Sequence, residues 1–224
     1  MLETLIAFFH GFLDIILHLD VKLQWVIQTY DVWTYAILFV VIFCETGLVI
    51  TPFLPGDSLL FAAGAFAATG SLQIFWLFII IAAAAILGNL LNYQIGSYLG
   101  PKVFKMENSK LFNKEYLHKT EAFYEKHGAK AIILSRFMPI LRTFAPFVAG
   151  IGKMNYGKFF LYNFIGAISW AVLFLSGGYF FGNLEIVKNN FTAVIMLIIV
   201  ISLIPAVKEF IQHHWKKKID IQNK

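Results

Sequence analysis

Long apolar stretches alternate with short polar segments along the whole chain. Residues 72–99 and 159–181 are each longer than the roughly 20 apolar residues that an α-helix needs to cross a bilayer. Residues 33–50 and 191–207 are apolar as well, and we predict that they also cross. This pattern predicts an all-α polytopic membrane protein.

The N-terminal apolar stretch differs from the others because it is short and contains polar residues. It covers residues 5–19 and includes Asp14 and His18. We therefore predict that residues 1–31 form an interfacial helix or a short membrane helix, followed by a membrane domain at residues 32–212. Because Glu3 stands where a cleaved signal peptide carries basic residues, we expect no cleavage.

Helix-breaking residues interrupt two of the apolar regions. Proline removes a backbone donor and clashes with the preceding helical turn, so these segments cannot remain regular helix. Non-helical backbone at membrane depth requires protein or a water-filled cavity around it. We therefore predict two re-entrant helical hairpins, at about residues 51–70 and 131–152. The residues expected to break them are Pro52, Pro55, Gly56, Pro139 and Pro146.

The distribution of lysines predicts the orientation of the chain. Residues 101–130 contain seven lysines and are predicted to form a cytoplasmic amphipathic segment, and residues 213–224 form a basic cytoplasmic tail. Tracing the spans backward, the first hairpin enters from outside and the second from the cytoplasm. Each half is thus a broken hairpin plus a span in opposite orientation, the inverted repeat of many secondary transporters.

Composition agrees with a membrane protein and narrows the class of partner. The chain is 59% hydrophobic with a mean hydropathy of +0.72, whereas soluble domains are roughly 45–50% apolar. Its net charge of +5 comes from lysines in loops and tail, which is a topology signal, so we expect no nucleic-acid partner.

Four charged residues lie inside the apolar regions. Glu45 and Asp57 are the formal charges between residues 32 and 99, and Arg136 and Arg142 lie in the apolar stretch of the second half. Charges in hydrocarbon are costly, and they usually mark a substrate or proton path. The separation of acids and arginines predicts one polar site built from both halves.

These side chains suit two tasks. Glu45 and Asp57 could exchange protons, and Arg136 and Arg142 present planar guanidinium groups that bind phosphate. A structural alternative remains open, in which the acids pair with the arginines only to hold the halves together. The arginines could also snorkel to the interface.

Other polar residues in the spans are secondary candidates, and interhelical hydrogen bonding explains them as well as function does. They are Asn89, Asn92, Tyr93 and Asn163. All six histidines lie outside the central apolar blocks, so we expect no metal site and no histidine nucleophile. Without a nucleophile set or a phosphate-binding glycine loop, we expect no enzyme activity and no cofactor.

Two sequence blocks resemble the DedA family, whose conserved region is also called the VTT or SNARE-associated domain. They are FCETGLVITPFLPGDSLL at residues 43–60 and SRFMPILRTFAPFVAG at residues 135–150, continued by Met154, Asn163, Gly166, Ala167 and Trp170. One departure is Asn89 after Gly88, where many relatives carry aspartate, so a proton role at that position is not expected here.

The resemblance implies a multi-pass protein of the bacterial inner membrane with two facing re-entrant hairpins and a cytoplasmic C-terminus. It further implies roles in envelope maintenance, transport linked to the proton-motive force and movement of undecaprenyl phosphate. The acids of the family match Glu45 and Asp57, and its arginines match Arg136 and Arg142.

We therefore expect a proton-motive-force-linked flippase that returns undecaprenyl phosphate to the cytoplasmic leaflet. Its partners would be membrane lipids and protons, and the sequence leaves a homo-oligomer and the side of the N-terminus open. The alternatives are a non-selective phospholipid scramblase and a non-transporting scaffold for envelope maintenance.

Overall fold

The structure is a computed structural model that describes residues 18–48, 56–103, 124, 127–198 and 200–201. Within these residues every regular element is a helix. In chain order they are α1 (Leu19–Tyr30), α2 (Trp33–Gly47), α3 (Gly56–Ala68), α4 (Ile74–Val103), α5 (Ala131–Ser135), α6 (Pro139–Ile151), α7 (Tyr156–Phe181) and α8 (Glu185–Asn189), with a 3-10 turn at Gly128–Lys130. Residues 191–198 are also helical.

Helices α4 and α7 are long enough to cross a bilayer. Their apolar parts, Ile74–Leu99 and Tyr156–Phe181, contain 26 residues each, with mean hydropathies of 2.5 and 1.8. At about 1.5 Å per residue each measures about 39 Å, which exceeds a hydrocarbon core of about 30 Å. The prediction of spanning helices at residues 72–99 and 159–181 is confirmed at the level of length and composition.

Helix α2 is shorter than predicted. It has 15 residues and ends at Gly47, and Leu48 already has extended backbone with φ −100° and ψ 122°. The prediction of a continuous helix to residue 50 is therefore wrong. The sequence offers the reason, because residues 49–51 are β-branched and the last of them precedes Pro52, which disfavours helical geometry.

The helix interruption in the second predicted hairpin, at residues 131–152, is shorter than predicted. Residues 136–138 form a turn between α5 and α6, and Pro139 lies in the first turn of α6, where a missing N–H costs no helical bond. Pro146 lies inside α6, so the prediction that the break extends to this residue is wrong. Packing of α6 against α4 along its length outweighs the loss of one helical hydrogen bond.

Several predictions fall on residues that the structure does not describe. Pro52 and Pro55 lie there, whereas Gly56 is the first residue of α3. Most of the predicted N-terminal stretch at residues 5–19, most of the segment 101–130 and the tail 213–224 also lie outside the described residues. Helix α1 lies within the predicted N-terminal segment 1–31, but it begins where the apolar stretch of residues 5–19 ends.

Helices α3 and α7 form one of the two most extensive contacts between the described helices. They approach closely because each contributes a glycine. A Cβ on Gly64 would lie 3.0 Å from the backbone nitrogen of Tyr179, and a Cβ on Gly178 would lie 3.0 Å from that of Ala65, with still closer contacts to carbonyl oxygens. No larger residue fits this crossing without moving backbone.

Helices α4 and α6 form the other extensive contact in the same way. A Cβ on Gly96 would lie 2.9 Å from the carbonyl carbon of Phe147, and a Cβ on Gly150 would lie 2.7 Å from the backbone nitrogen of Ser97. Helices α3 and α6, the ones that precede the long helices, thus each pack on the long helix of the other half. This exchange brings the helix ends that carry the four buried charges to one place.

A pair of neighbouring glycines in α7 tests this crossing. We expect Gly178→Ala to destabilise the protein by about 1–3 kcal/mol, the usual effect of overpacking, because its Cβ would meet the backbone of α3. Gly177→Ala is the matched control, since its Cβ would meet only ring atoms of Phe61 at 3.8 Å or more. Thermal unfolding in detergent measures both, and equal midpoints for the two variants would refute the close approach.

Candidate functional site

The four charged residues singled out from the sequence are all buried, and each lies near a helix end. Glu45 is near the end of α2, Asp57 is in the first turn of α3, Arg136 is in the turn before α6, and Arg142 is in its first turn. Their exposed fractions are 0%, 7%, 3% and 7%. Among the described buried residues they are the charged ones, and we call them the ion cluster.

Arg142 binds both acids. Its Nη1 donates to Oδ1 of Asp57 at 2.7 Å, and its Nη2 donates to Oε1 of Glu45. One guanidinium of α6 therefore joins α2 and α3, whose acids precede Arg142 by 97 and 85 positions. The expected pairing of acids with arginines exists, but a single arginine accounts for both ion pairs.

Both carboxylates receive a further hydrogen bond. The backbone N–H of Gly56 donates to Oε1 of Glu45 at 3.2 Å, and the indole N–H of Trp170 donates to Oδ1 of Asp57 at 2.8 Å. Gly56 permits the first contact, because a Cβ there would lie 2.6 Å from Cδ of Glu45. Asp57 also lies at the N-terminal end of α3, where the helix dipole favours a negative charge.

Arg136 has a different environment from Arg142. Its Nη2 donates to the carbonyl oxygen of Ala85 at 3.1 Å and to Oδ1 of Asn163 at 2.8 Å. Within the described residues it has no carboxylate at ion-pair distance, and its buried Nε has no hydrogen-bond partner. It is a buried cation held by neutral oxygens, with donor capacity left over.

One stripe of α7 supports Arg136. Asn163 accepts its hydrogen bond, and Gly166 leaves room for its side chain, since a Cβ there would lie 3.2 Å from Cδ of Arg136. Trp170 completes the stripe, and its ring centroid is 5.9 Å from the guanidinium carbon of Arg136 and also of Arg142. The spacing of three and four residues puts these side chains on one helix face.

The secondary polar candidates form hydrogen bonds between helices. Asn89 donates to Oδ1 of Asn163 at 2.9 Å, so that oxygen serves both Asn89 and Arg136. Asn92 donates to the carbonyl oxygens of Thr46 at 3.2 Å and Thr143 at 2.8 Å, which ties α2 and α6 to α4.

Tyr93 lies next to these residues on α4, but it serves another part of the fold. Its hydroxyl donates to the carbonyl oxygen of Met154 at 2.6 Å, which fastens α4 to the connection between α6 and α7. It is thus not part of the ion cluster.

The charge of the ion cluster is balanced as a whole but not locally. Two carboxylates and two guanidinium groups sum to zero. Arg142 with its two acids carries one net negative charge, whereas Arg136 carries one positive charge without a carboxylate of its own. The electrostatic attraction for an anion in this site is therefore strongest at Arg136.

The direct contact of Trp170 with the cluster could not be predicted from the sequence. Tryptophan in an apolar span is ordinary, and the residue is separated from Asp57 by 113 positions. The available signal was its seven-residue spacing from Asn163, which indicates a shared helix face.

Comparisons with known proteins agree on one family. Residues 54–180 match the VTT domain. The chain is 54% identical over 203 residues to protein DedA of Escherichia coli strain K12, covering 90% of this chain and 93% of that protein. It is 43% identical over 167 residues to an uncharacterized membrane protein of Mycobacterium leprae, covering 75% of each.

A more distant relative is also named as a membrane protein. The inner membrane protein YqjA of Escherichia coli strain K12 is 29% identical over 187 residues, covering 82% of this chain and 85% of that protein. No solved structure matches the chain.

Removing Arg142 should reveal how strongly the cluster is held together. We expect Arg142→Met to cost about 3–5 kcal/mol of stability, because it leaves two buried carboxylates without their shared cation. Adding Glu45→Gln and Asp57→Asn removes the unpaired charge and should recover most of this loss. Thermal unfolding in detergent compares the variants, and a triple variant no more stable than the single one would contradict the account.

Proposed function

The chain belongs to the DedA family of VTT-domain membrane proteins, and on that premise we propose that it is a transporter linked to the proton-motive force. In this proposal it resides in the bacterial inner membrane as a multi-pass protein with a cytoplasmic C-terminus. It returns undecaprenyl phosphate to the cytoplasmic leaflet and thereby supports envelope integrity.

The helix packing supports an inverted repeat as the scaffold for this function. The first half comprises α2, α3 and α4, and the second comprises α5, α6 and α7. Each half ends in a long helix, and the helix just before it, α3 or α6, packs on the long helix of the other half through reciprocal glycines. In our proposal α5–α6 is the second re-entrant hairpin, as predicted at residues 131–152. The first comprises α2 and α3 and so begins before the predicted residue 51, because α2, with 15 residues, is too short for the crossing predicted at residues 33–50. The ion cluster lies where the two hairpins meet.

The observation that carries the proposal is the unequal environment of the two arginines. Arg142 already binds two carboxylates, whereas Arg136 is buried without one among the described residues. A guanidinium with neutral partners can accept a phosphate without displacing an ion pair. We therefore assign the first phosphate contact to Arg136, and Arg142 joins when a carboxylate releases it.

The acids supply the link to protons. A phosphate bound at Arg136 would add negative charge to a cluster that is neutral when empty, and an unbalanced charge in the membrane interior is costly. A proton on Glu45 or Asp57 would offset that charge and would loosen the hold of that acid on Arg142. Release of the proton at the cytoplasmic side would restore the ion pair and expel the phosphate.

The isoprenoid tail needs no enclosed cavity, because the outer face of α7 is apolar. Phe160, Phe164 and Leu173 have exposed fractions of 42%, 45% and 56%. Such a face borders lipid in a membrane protein, so the tail can stay in the bilayer while the head group passes the cluster.

Reconstitution into liposomes tests the transport proposal directly. We expect Arg136→Gln and Asp57→Asn to slow movement of labelled undecaprenyl phosphate by about 10- to 100-fold, the factor for losing a charge-assisted hydrogen bond of about 1.5–3 kcal/mol. Lys188→Ala is the matched control, since it removes an exposed cation outside the cluster.

Three other results of this experiment would contradict the proposal. Unchanged transport in both cluster variants would separate the cluster from the function. Equal movement of ordinary phospholipids without a gradient would favour a scramblase. No movement of any lipid by well-folded protein would favour a scaffold.

The charge balance of the cluster also predicts which gradient drives transport. If one proton accompanies each negative charge, the loaded and empty clusters are both neutral, so a pH gradient should drive movement and an electrical potential should have little effect. Proteoliposomes with a pH difference alone, or with a potassium diffusion potential at clamped pH, distinguish the two. Transport driven by the potential alone would contradict the neutral cycle.

A further inference from the structure

Trp170 contacts three of the four members of the ion cluster, and the proposed function gives it no role. Its side chain is 1% exposed. The indole N–H is 2.8 Å from Oδ1 of Asp57, and the ring lies 5.9 Å from the guanidinium carbons of Arg136 and Arg142. A residue chosen only to fill space would not need a polar hydrogen at this position.

We propose that Trp170 is a positioning residue that controls proton exchange at Asp57 and keeps both guanidinium groups in place while the proton comes and goes. The proposal rests on the proposed function, in which Asp57 exchanges a proton. It adds a specific hydrogen bond and a specific aromatic surface to that step.

The hydrogen bond acts on the charge of Asp57. An N–H donated to a carboxylate stabilises its ionised form, and the same N–H gains less from a protonated carboxyl group. Among the residues that the structure describes, the buried charged groups of this cluster besides Asp57 are Arg142 from α6, Glu45 from α2 and Arg136 from the turn before α6. From α7, the neighbour of Asp57 is Trp170, whose side chain is neutral and leaves the net charge of the cluster unchanged.

The ring acts on the arginines. When Asp57 takes up a proton, Arg142 loses one of its two anionic partners and is held less tightly by the carboxylates. An aromatic face within about 6 Å attracts a cation by about 0.5–2 kcal/mol, independently of the state of the carboxylates. The indole therefore offers both arginines a fixed contact in each protonation state.

The packing of α3 on α7 fixes the distance between Trp170 and Asp57. The crossing of Gly64 and Gly178 lies two turns further along both helices, which run in the same direction at this contact. Because backbone meets backbone there, the start of α3 cannot slide relative to Trp170 without breaking that contact. The hydrogen bond is thus held by rigid elements and not by a loop.

The pH dependence of transport tests the hydrogen bond. Trp170→Phe retains an aromatic ring but removes the N–H, so the protonated form of Asp57 should be favoured. We expect the midpoint of the pH profile to move upward by about one to two units, which corresponds to a hydrogen bond to a charged group. Trp76→Phe, at a position that is 55% exposed on α4, is the control with the same substitution and should leave the midpoint unchanged.

Tryptophan fluorescence tests the contact without transport. In a variant that keeps Trp170 and replaces the other four tryptophans with phenylalanine, the emission should change in one transition with pH. Adding Asp57→Asn should abolish the transition.

The two measurements separate failure of this proposal from failure of the transport function. A fluorescence transition that depends on Asp57 supports the contact even if no lipid moves. Emission that does not change with pH, or an unshifted transport midpoint in Trp170→Phe, would overturn the role assigned to Trp170.

Discussion

The double ion pair of Arg142 is the interaction on which the rest of the structure depends. It joins two acids that the chain supplies 97 and 85 positions earlier, and both lie near the end of a short helix. Desolvating three charges is costly, and the attraction between them offsets that cost only in a close geometry with additional hydrogen bonds. Gly56 and Trp170 supply those hydrogen bonds, so the glycine before Asp57 and a tryptophan on α7 are part of the same constraint.

The cluster combines an arginine that binds two carboxylates with one that binds none among the described residues, and this difference gives the two side chains different tasks. Arg142 holds helices together through ionic partners. Arg136 is held by Ala85 and Asn163, which fix its position without cancelling its charge.

Much of the fold could be predicted because its signals are local. Apolar length identified α4 and α7, and charges in apolar sequence identified Glu45, Asp57, Arg136 and Arg142. The extent of the breaks could not be predicted, because Pro146 lies inside α6, a helix that packs extensively on α4, and the sequence around the proline does not reveal this contact. It could not be predicted either that Arg142 binds both acids or that Trp170 contacts Asp57. Helix crossings decide which distant residues meet, and the sequence does not show them.

Rigidity and charge occupy different parts of each helix. The glycine crossings lie toward the far ends of the short helices, at Gly64 in α3 and Gly150 in α6, whereas the charges lie at their beginnings. Backbone contacts at the crossings tolerate little displacement, but ion pairs can exchange partners when their charges change. Any movement that admits a ligand is therefore easiest at the helix ends around the cluster. The ion pairs, which can exchange partners, thus lie where the helices are interrupted, and the rigid backbone contacts lie about two turns away.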